Sequence, residues 1–182
     1  MTTALAGVVE LLERSLAYTR VALAGVTEAS LSSPTPCRLW NLGELLGHMD
    51  DSLDTFTEAA GGTVALTSPP AAPPVVVLQQ KACALLGLWS RERPDDVRVG
   101  VADLATDLLV ATAALEVTVH GWDVGQATGV GAPIPEELAR HLVPVAHQMV
   151  SDADRGVRFA GALPAGADAT ADEKLRAFLG RA

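Results

Sequence analysis

The sequence predicts an all-α protein in which several long helices pack as a bundle. Apolar residues recur at spacings of three and four over long segments, which is the periodicity of a helix with one buried face. Connectors rich in proline and glycine separate these segments. Hydrophobic residues make up 49% of the 182 residues but aromatic residues only 4%, so Ala, Leu and Val must fill the core. Such small side chains let helices approach closely, which favours a bundle.

The helices can be placed in chain order from this periodicity and from capping signals. Asn41 with Glu44, and Thr170 with Glu173, have the spacing of capping boxes and predict two helix starts. The predicted helices span Thr3 to Ala29, Leu42 to a stop at Gly61-Gly62, Val75 to Arg91, Ala102 to about Thr128, Pro135 to Asp152–Asp154, and a short segment after Thr170. Between them we predict a structured connector over Ser30 to Asn41, loops over Thr63 to Pro74 and Gly156 to Ala169, and a linker over Val97 to Val101.

These elements fit one domain, because domains most often contain about 100–150 residues. We expect a single domain over residues 1–182, with the bundle over about 3–129 and a C-terminal extension over 130–182 that holds one or two short helices. Gly121, Gly125 and Gly129 form overlapping GxxxG patterns in the fourth helix. In a soluble helix these patterns indicate close packing against a neighbour.

Charge and patterning exclude several classes of function. The net charge of −9 would repel a phosphate backbone, so we expect no nucleic acid partner. The first helix carries Glu10, Glu13, Arg14 and Arg20 within its apolar pattern, which is unlike a signal peptide or a membrane span. We therefore expect a cytoplasmic protein without a membrane partner.

The strongest functional signal is the stretch LEVTVHGWDVGQATG from Leu115 to Gly129, which sets Glu116 and His120 four residues apart in an apolar helix. Side chains at this spacing share a helix face with Cβ atoms about 5–6 Å apart, so both can reach one metal ion. The third ligand must come from another helix, and His48 is the best-placed candidate. We predict a metal site of His48, Glu116 and His120. Two histidines, one carboxylate and an open position are typical of a catalytic zinc site.

Simpler interpretations compete with this site. A histidine such as His48 is more often a hydrogen-bonded core residue, and Glu116 with His120 has the spacing of a surface ion pair. The apolar neighbours of that pair argue against a solvated face. Asp123 is either a helix-surface acid or a partner that orients a metal ligand, and both alternatives stay open. No residue beyond the ligands is assigned a catalytic role.

The remaining chemically distinctive residues are predicted to be structural. Cys37 and Cys83 are too few for a disulfide framework and are interpreted as reduced thiols, with a reactive Cys37 as the alternative. We interpret Trp40 and Trp122 as core or pocket-wall residues. His141 and His147 lie about 120° apart around a helix, so they are poor shared ligands and are expected at the surface or an interface.

Three segments carry a resemblance to a known family: TPCRLWNLGELLGHM (Thr35 to Met49), LEVTVHGWDVGQATG, and the tail from Arg158 to Arg181. With them the chain resembles the actinobacterial DinB-like metal-binding proteins, in the branch related to the metal-binding domain of mycothiol-dependent maleylpyruvate isomerase. The resemblance implies an up-and-down four-helix bundle that holds a divalent metal, usually zinc with nickel as the alternative. It implies the ligands His48, Glu116 and His120.

The resemblance also implies a thiol-dependent activity. Relatives transfer or isomerise with a small thiol such as mycothiol, so we expect a small thiol and an electrophile as partners, and homodimers are common among such bundles. Only a short tail follows the bundle where the isomerase has a second domain, so maleylpyruvate isomerisation itself is not expected. The leading hypothesis is a metal-dependent thiol transferase or isomerase. The alternatives are a non-catalytic metal-binding or interaction protein and a metal-assisted hydrolase.

Overall fold

The computed structural model describes residues 3–61, 72–91, 96–99, 102–156 and 159–182, which form two compact units, Met1–Ala132 and Pro133–Ala182. The first unit contains four long helices and a hairpin: α1 (Thr3–Leu23), α2 (Leu42–Ala59), α3 (Pro74–Trp89), β1 (Asp96–Val99), β2 (Ala102–Ala105) and α4 (Thr106–Thr128). The second contains α5 (Glu136–Met149) and α6 (Ala171–Phe178). The all-α class with additional C-terminal helices is confirmed. The single domain over residues 1–182 stays a prediction.

The four long helices form a bundle in which each helix packs mainly against two others. Helix α1 packs against α4 and α3, and α2 packs against α3 and α4, so consecutive helices α1 and α2 lie diagonally opposite. Helix α4 is buried on nearly every face, which explains why it lacks a clear polar stripe. None of the described helices is long and apolar enough to cross a bilayer.

Glycine permits the close contact between α1 and α4. A Cβ atom on Gly121 would lie 2.9 Å from the Cβ atom of Thr19, and the Thr19 hydroxyl donates a 2.8 Å hydrogen bond to the carbonyl of Val117. One turn further along both helices, Gly125 faces Ala22. The close helix packing predicted from the GxxxG pattern is therefore confirmed at Gly121. At Gly125 the Ala22 Cβ atom would lie at an ordinary 3.9 Å, and the tight contact is with Gly131.

The same contacts fix the relative direction of the two helices. Residue numbers increase together from the Thr19–Gly121 contact to the Ala22–Gly125 contact, so α1 and α4 run parallel. In strict up-and-down alternation the first and fourth helices are antiparallel, so this pair departs from that detail of the expected bundle. Gly129 has φ of +74° and ends α4, as predicted.

The start of α2 is fixed by the predicted capping box. The Asn41 side chain accepts a 3.0 Å hydrogen bond from the Glu44 backbone N–H, and the Glu44 carboxylate accepts a 2.8 Å bond from the Asn41 N–H. Behind this cap, α2 buries Leu42, Leu45, Leu46, Met49 and Leu53. The cap and this buried face together set the rotation of α2, and with it the position of His48.

Substituting Asn41 with alanine is expected to lower the free energy of unfolding by about 1 kcal/mol, because the Glu44 backbone N–H at the start of α2 loses its side-chain acceptor. Asn41→Gly is the matched comparison, with an expected loss of only a few tenths of a kcal/mol. Urea denaturation of both variants measures the difference. Equal stability of wild type and Asn41→Ala would contradict the assigned helix start.

Two predictions around α4 were wrong. The segment Val97 to Val101, predicted as a linker, contributes strand β1, and Ala102 to Ala105, predicted as the first turn of the fourth helix, is strand β2. The two strands pair antiparallel with Asp96 opposite Ala105. Helix α4 therefore begins at Thr106. The error arose because Leu104 lies four residues before Leu108 and so continues the apolar pattern of the helix. Strand pairing, in contrast, depends on a partner segment outside this local pattern.

The first helix is also shorter than predicted. It ends at Leu23, and a separate 3-10 turn over Glu28–Ser30 begins at Thr27, whose side chain caps it. The loop predicted over Thr63 to Pro74 lies mostly outside the described residues.

The second unit is a small helical pair. The Thr170 and Glu173 side chains form the predicted capping box at the start of α6. Asp172 accepts hydrogen bonds from the Ile134 backbone N–H and from the Arg176 guanidinium.

Candidate metal centre

Two helices of the first unit bring the three predicted ligands together. Helix α2 presents His48, and α4 presents Glu116 and His120. The Glu116 Oε1 atom lies 2.7 Å from His48 Nε2 and 3.1 Å from His120 Nε2. The two imidazole centroids are 5.0 Å apart and their planes are nearly perpendicular. The structure thus gathers two ring nitrogens and one carboxylate oxygen at one point of the α2–α4 contact.

The site is open on one side and closed on the other. The side chains of His48 and Glu116 are 34% and 28% exposed, whereas that of His120 is 9% exposed. A catalytic metal site needs such an open position beside its protein ligands, while a structural site is closed.

A buried carboxylate orients His120. Asp123 is completely buried, and its Oδ2 atom lies 2.9 Å from His120 Nδ1, which donates the hydrogen bond. This arrangement leaves His120 Nε2 facing Glu116 and excludes the surface-acid alternative for Asp123. Histidine ligands of metals commonly donate their second N–H to a carboxylate in this way. Asp123 therefore has the contacts of an orienting partner.

The connector before α2 supplies a second contact to Asp123. The Cys37 thiol donates to Asp123 Oδ2 at 3.3 Å, so this cysteine is neither exposed nor isolated. The Thr35 hydroxyl lies within hydrogen-bond distance of the carbonyls of Cys37 and Trp40 and holds the turn between them. The prediction that this connector has structure of its own is confirmed, and its fold places Cys37 and Trp40 beside the site.

The electrostatic environment of the ligands favours charge separation. Burial alone would raise the pKa of Glu116, but His120 and His48 lower it well below its usual range. Burial alone would lower the pKa of His120, but the charge of Glu116 and hydrogen bonds with Asp123 and Cys37 raise it well above its usual range. Without a metal, the pair is therefore a carboxylate and an imidazolium.

The donor set fits a divalent metal ion. The ligand atoms of His48, Glu116 and His120 lie close together, and two bonds of about 2.0–2.2 Å to one ion span the 2.7 and 3.1 Å that separate Glu116 Oε1 from the two Nε2 atoms. A second group, formed by Cys37, His120 and Asp123, meets the same distance criterion. It uses the opposite edge of the His120 ring, and its carboxylate is fully buried. The first group is therefore the better candidate for a site that admits a ligand.

The residues of the bundle and of this site match a known protein family. Residues 12–125 match the family model described as the mycothiol maleylpyruvate isomerase N-terminal domain. The chain belongs to this family. The matched residues include Cys37, His48, Glu116, His120 and Asp123, so the whole candidate site lies within the family domain.

Two curated proteins are similar to this member of the mycothiol maleylpyruvate isomerase N-terminal domain family. Their descriptions name no activity. Uncharacterized proteins from two strains of Mycobacterium tuberculosis are 26% identical to the chain over 165 residues, covering 87% of this chain and 89% of each relative. No solved structure matches the chain significantly. The family relationship is therefore to a mycothiol-related domain, and it does not name a substrate for this chain.

Two further side chains lie at this site, and the sequence pointed to only one of them. Trp40, interpreted as core or pocket wall, is half-buried with its ring 4.5 Å from that of His48, so it forms a wall of the site. Ser52 was missed: its hydroxyl donates to Glu116 Oε1 at 3.4 Å. Ser52 lies one helical turn after His48, and this i to i+4 spacing was the available signal. Trp122 is buried, as predicted for a core residue.

Truncating Asp123 is expected to weaken metal binding about 10–100-fold, the usual effect of losing a partner that orients a histidine ligand. Asp123→Ala removes the acceptor for His120 Nδ1–H, whereas Asp123→Asn can keep one through its amide oxygen, so the asparagine variant is expected to lose less. Competition with a chromophoric chelator measures both affinities. Unchanged affinity in Asp123→Ala would show that His120 orientation does not depend on this carboxylate.

Metal affinity is expected to rise at least about tenfold from pH 6 to pH 7, because binding must displace a proton from His120. The raised pKa of His120 keeps that proton bound across this range in the metal-free protein. Calorimetry in two buffers of different ionisation enthalpy counts the released protons. A flat affinity with no proton release would exclude His120 as a ligand.

Proposed function

We propose that the protein binds one divalent metal ion, zinc in the first instance and nickel as the alternative, and uses it to activate a small thiol for transfer or isomerisation. His48, Glu116 and His120 would hold the ion through their Nε2 and carboxylate atoms. The observation that carries this proposal is the meeting of these three donors at a partly exposed point, with His120 oriented by the buried Asp123.

The chemistry expected of such a site is thiol activation. A bound divalent cation lowers the pKa of a coordinated thiol, so that the nucleophilic thiolate is present at neutral pH. The family relationship supports mycothiol, or a similar low-molecular-weight thiol, as the cosubstrate.

The residues of this chain would each perform a defined part of that task. Asp123 accepts the His120 Nδ1–H, so the proton that metal binding would displace from His120 is the one on Nε2. Glu116 stays ionised because its pKa is lowered, and it faces both imidazoles. Trp40 packs against one face of the His48 ring and limits the approach of water there. The exposed edges of His48 and Glu116 leave room for a thiol and an electrophile.

The test of this proposal is elemental analysis of protein purified without an affinity tag, followed by calorimetric titration with mycothiol. We expect about one metal ion per chain and thiol binding that disappears when the metal is removed. His48→Ala and His120→Ala should each lose the stoichiometric metal while keeping most of their helicity. His141→Ala is the matched control, because His141 is exposed on α5 and its Nδ1 atom hydrogen-bonds the Glu137 carbonyl of its own helix.

Three outcomes would contradict the proposal. Retention of a full equivalent of metal by both His48→Ala and His120→Ala would remove the ligand assignment. Metal binding without any affinity for thiols would favour a non-catalytic metal protein. Turnover of an ester or amide in the absence of thiol would favour a hydrolase that uses bound water.

A further inference from the structure

A half-open cavity of about 400 Å³ lies along the bundle. All four long helices contribute to its walls, which are formed mainly by aliphatic side chains, among them Leu16, Leu23, Leu53, Leu78 and Leu86. Exposed residues of α1 and α3, among them Ala17 and Cys83, form its open side. Its volume falls in the range of small-molecule pockets, about 300–1,000 Å³.

The cavity adjoins the candidate metal centre. Glu116 belongs to both, and Ser52, which donates a hydrogen bond to Glu116, also lines the cavity. The Glu116 carboxylate thus separates the two histidines on one side from the apolar space on the other. A molecule that reacts at the open position could place its apolar part in this space.

The charges on the cavity wall define what can enter. Glu13 and Arg20 carry opposite charges and are both exposed, so they lie at the rim and nearly cancel. Among the described lining residues, the remaining charged one is Glu116 at the metal-centre side. Away from that side the described wall offers aliphatic and neutral polar side chains and no cation, so it would bind a neutral apolar group better than an anion.

We propose that this cavity binds the apolar body of the electrophilic substrate, a neutral aryl or alkyl group of about ten to twenty carbon atoms. The identification of the ligand as an electrophile rests on the proposed thiol-dependent function. The cavity itself does not, since most of its wall consists of residues of α1 and α3 that take no part in the metal centre.

The first test is binding of the neutral fluorophore N-phenyl-1-naphthylamine, whose emission rises in apolar surroundings. We expect about one equivalent to bind to wild type and equally well to His48→Ala, because loss of the metal should leave the cavity intact. Ala82→Phe, which places a ring in the cavity, should weaken binding at least about tenfold. Ala84→Phe is the matched control: Ala84 is half-buried on the same helix but does not line the cavity, and its variant should bind within about twofold of wild type.

A second readout does not depend on the folding of a variant. Cys83 is exposed and lines the cavity, so the bound fluorophore should slow its alkylation by iodoacetamide in the wild-type protein. Peptide mass spectrometry separates Cys83 from Cys37. Absence of saturable fluorophore binding, or equal binding by Ala82→Phe and Ala84→Phe together with unchanged alkylation of Cys83, would overturn the proposal. A stable dimer that excludes the fluorophore would also overturn it, because a second copy would then cover the cavity.

The substrate assignment is tested with two electrophiles that share one reactive group. In the metal-loaded protein with mycothiol, Ala82→Phe should lower kcat/KM for 2-naphthyl vinyl sulfone at least about tenfold and leave that for methyl vinyl sulfone within about twofold. Equal effects on both would show that the cavity does not hold the apolar body. Loss of both reactions in His48→Ala, with fluorophore binding retained, separates the metal chemistry from the cavity.

Discussion

Replacing Glu116 with glutamine is expected to lower the affinity of the protein for zinc by more than about 100-fold, which exceeds the usual effect of losing an outer partner. The substitution keeps the size of the side chain but removes the negative charge that faces both imidazoles at 2.7 and 3.1 Å. A neutral amide oxygen is a weaker ligand for a divalent cation than a carboxylate. The measurement is a competition titration with a zinc-binding chromophore at pH 7.

The control for this variant is Glu58→Gln, which removes one carboxylate from an exposed position of α2. Both variants change the net charge equally, so a general electrostatic effect on metal binding would appear in each. We expect Glu58→Gln to match wild type. A Glu116→Gln protein that still binds zinc with wild-type affinity would exclude Glu116 as a ligand and would favour the group formed by Cys37, His120 and Asp123.

Introducing valine at Gly121 is expected to destabilise the protein by about 3 kcal/mol or more, because α1 and α4 touch there without space for a side chain. The Cβ atom alone would lie 2.9 Å from Thr19 Cβ and 3.1 Å from Thr19 Cα, and the second of these belongs to the backbone of α1. The two helices would have to separate. For a chain of this length we expect Tm to fall by about 6–12 °C in differential scanning calorimetry.

Gly47→Ala is the matched comparison for this substitution. Gly47 is exposed within α2, and no heavy atom lies within 4 Å of the position that its Cβ would occupy. The alanine variant is expected to gain about 0.5–1 kcal/mol, because glycine is the less favourable residue inside a helix. If Gly121→Val were as stable as wild type, the close contact between α1 and α4 would be wrong.

The proximity of Glu116 and His120 was predictable because their spacing is a local property. Residues four apart in a helix share a face, so the proximity of Glu116 and His120 does not depend on the rest of the fold. His48 was selected as the remaining histidine near a buried stripe, and the contact between α2 and α4 places it as predicted. Their role as ligands stays a prediction until metal binding is measured.

The role of Asp123 could not be decided from the sequence. Its neighbourhood depends on the rotation of α4, and a helix buried on nearly every face has no polar stripe from which that rotation can be read. Ser52 and Cys37 were left unassigned for a related reason, since each reaches the site across a contact between elements distant in the chain.

The hairpin and the helix directions depend on long-range pairing. Strand β2 has an apolar spacing that also fits the first turn of α4, and only its pairing with β1 distinguishes the two. The parallel run of α1 and α4 follows from how glycines and small residues of the two helices meet, which helical periodicity alone does not specify.

We propose that His48, Glu116 and His120 hold a metal ion that accepts a thiol. X-ray absorption spectroscopy at the zinc edge tests it directly, because zinc–sulfur bonds of about 2.3 Å are distinguishable from zinc–nitrogen and zinc–oxygen bonds of about 2.0–2.2 Å. We predict only nitrogen and oxygen neighbours in the zinc-loaded protein, and one sulfur neighbour after mycothiol is added. A sulfur neighbour before any thiol is added would place the ion at Cys37 and would contradict this assignment.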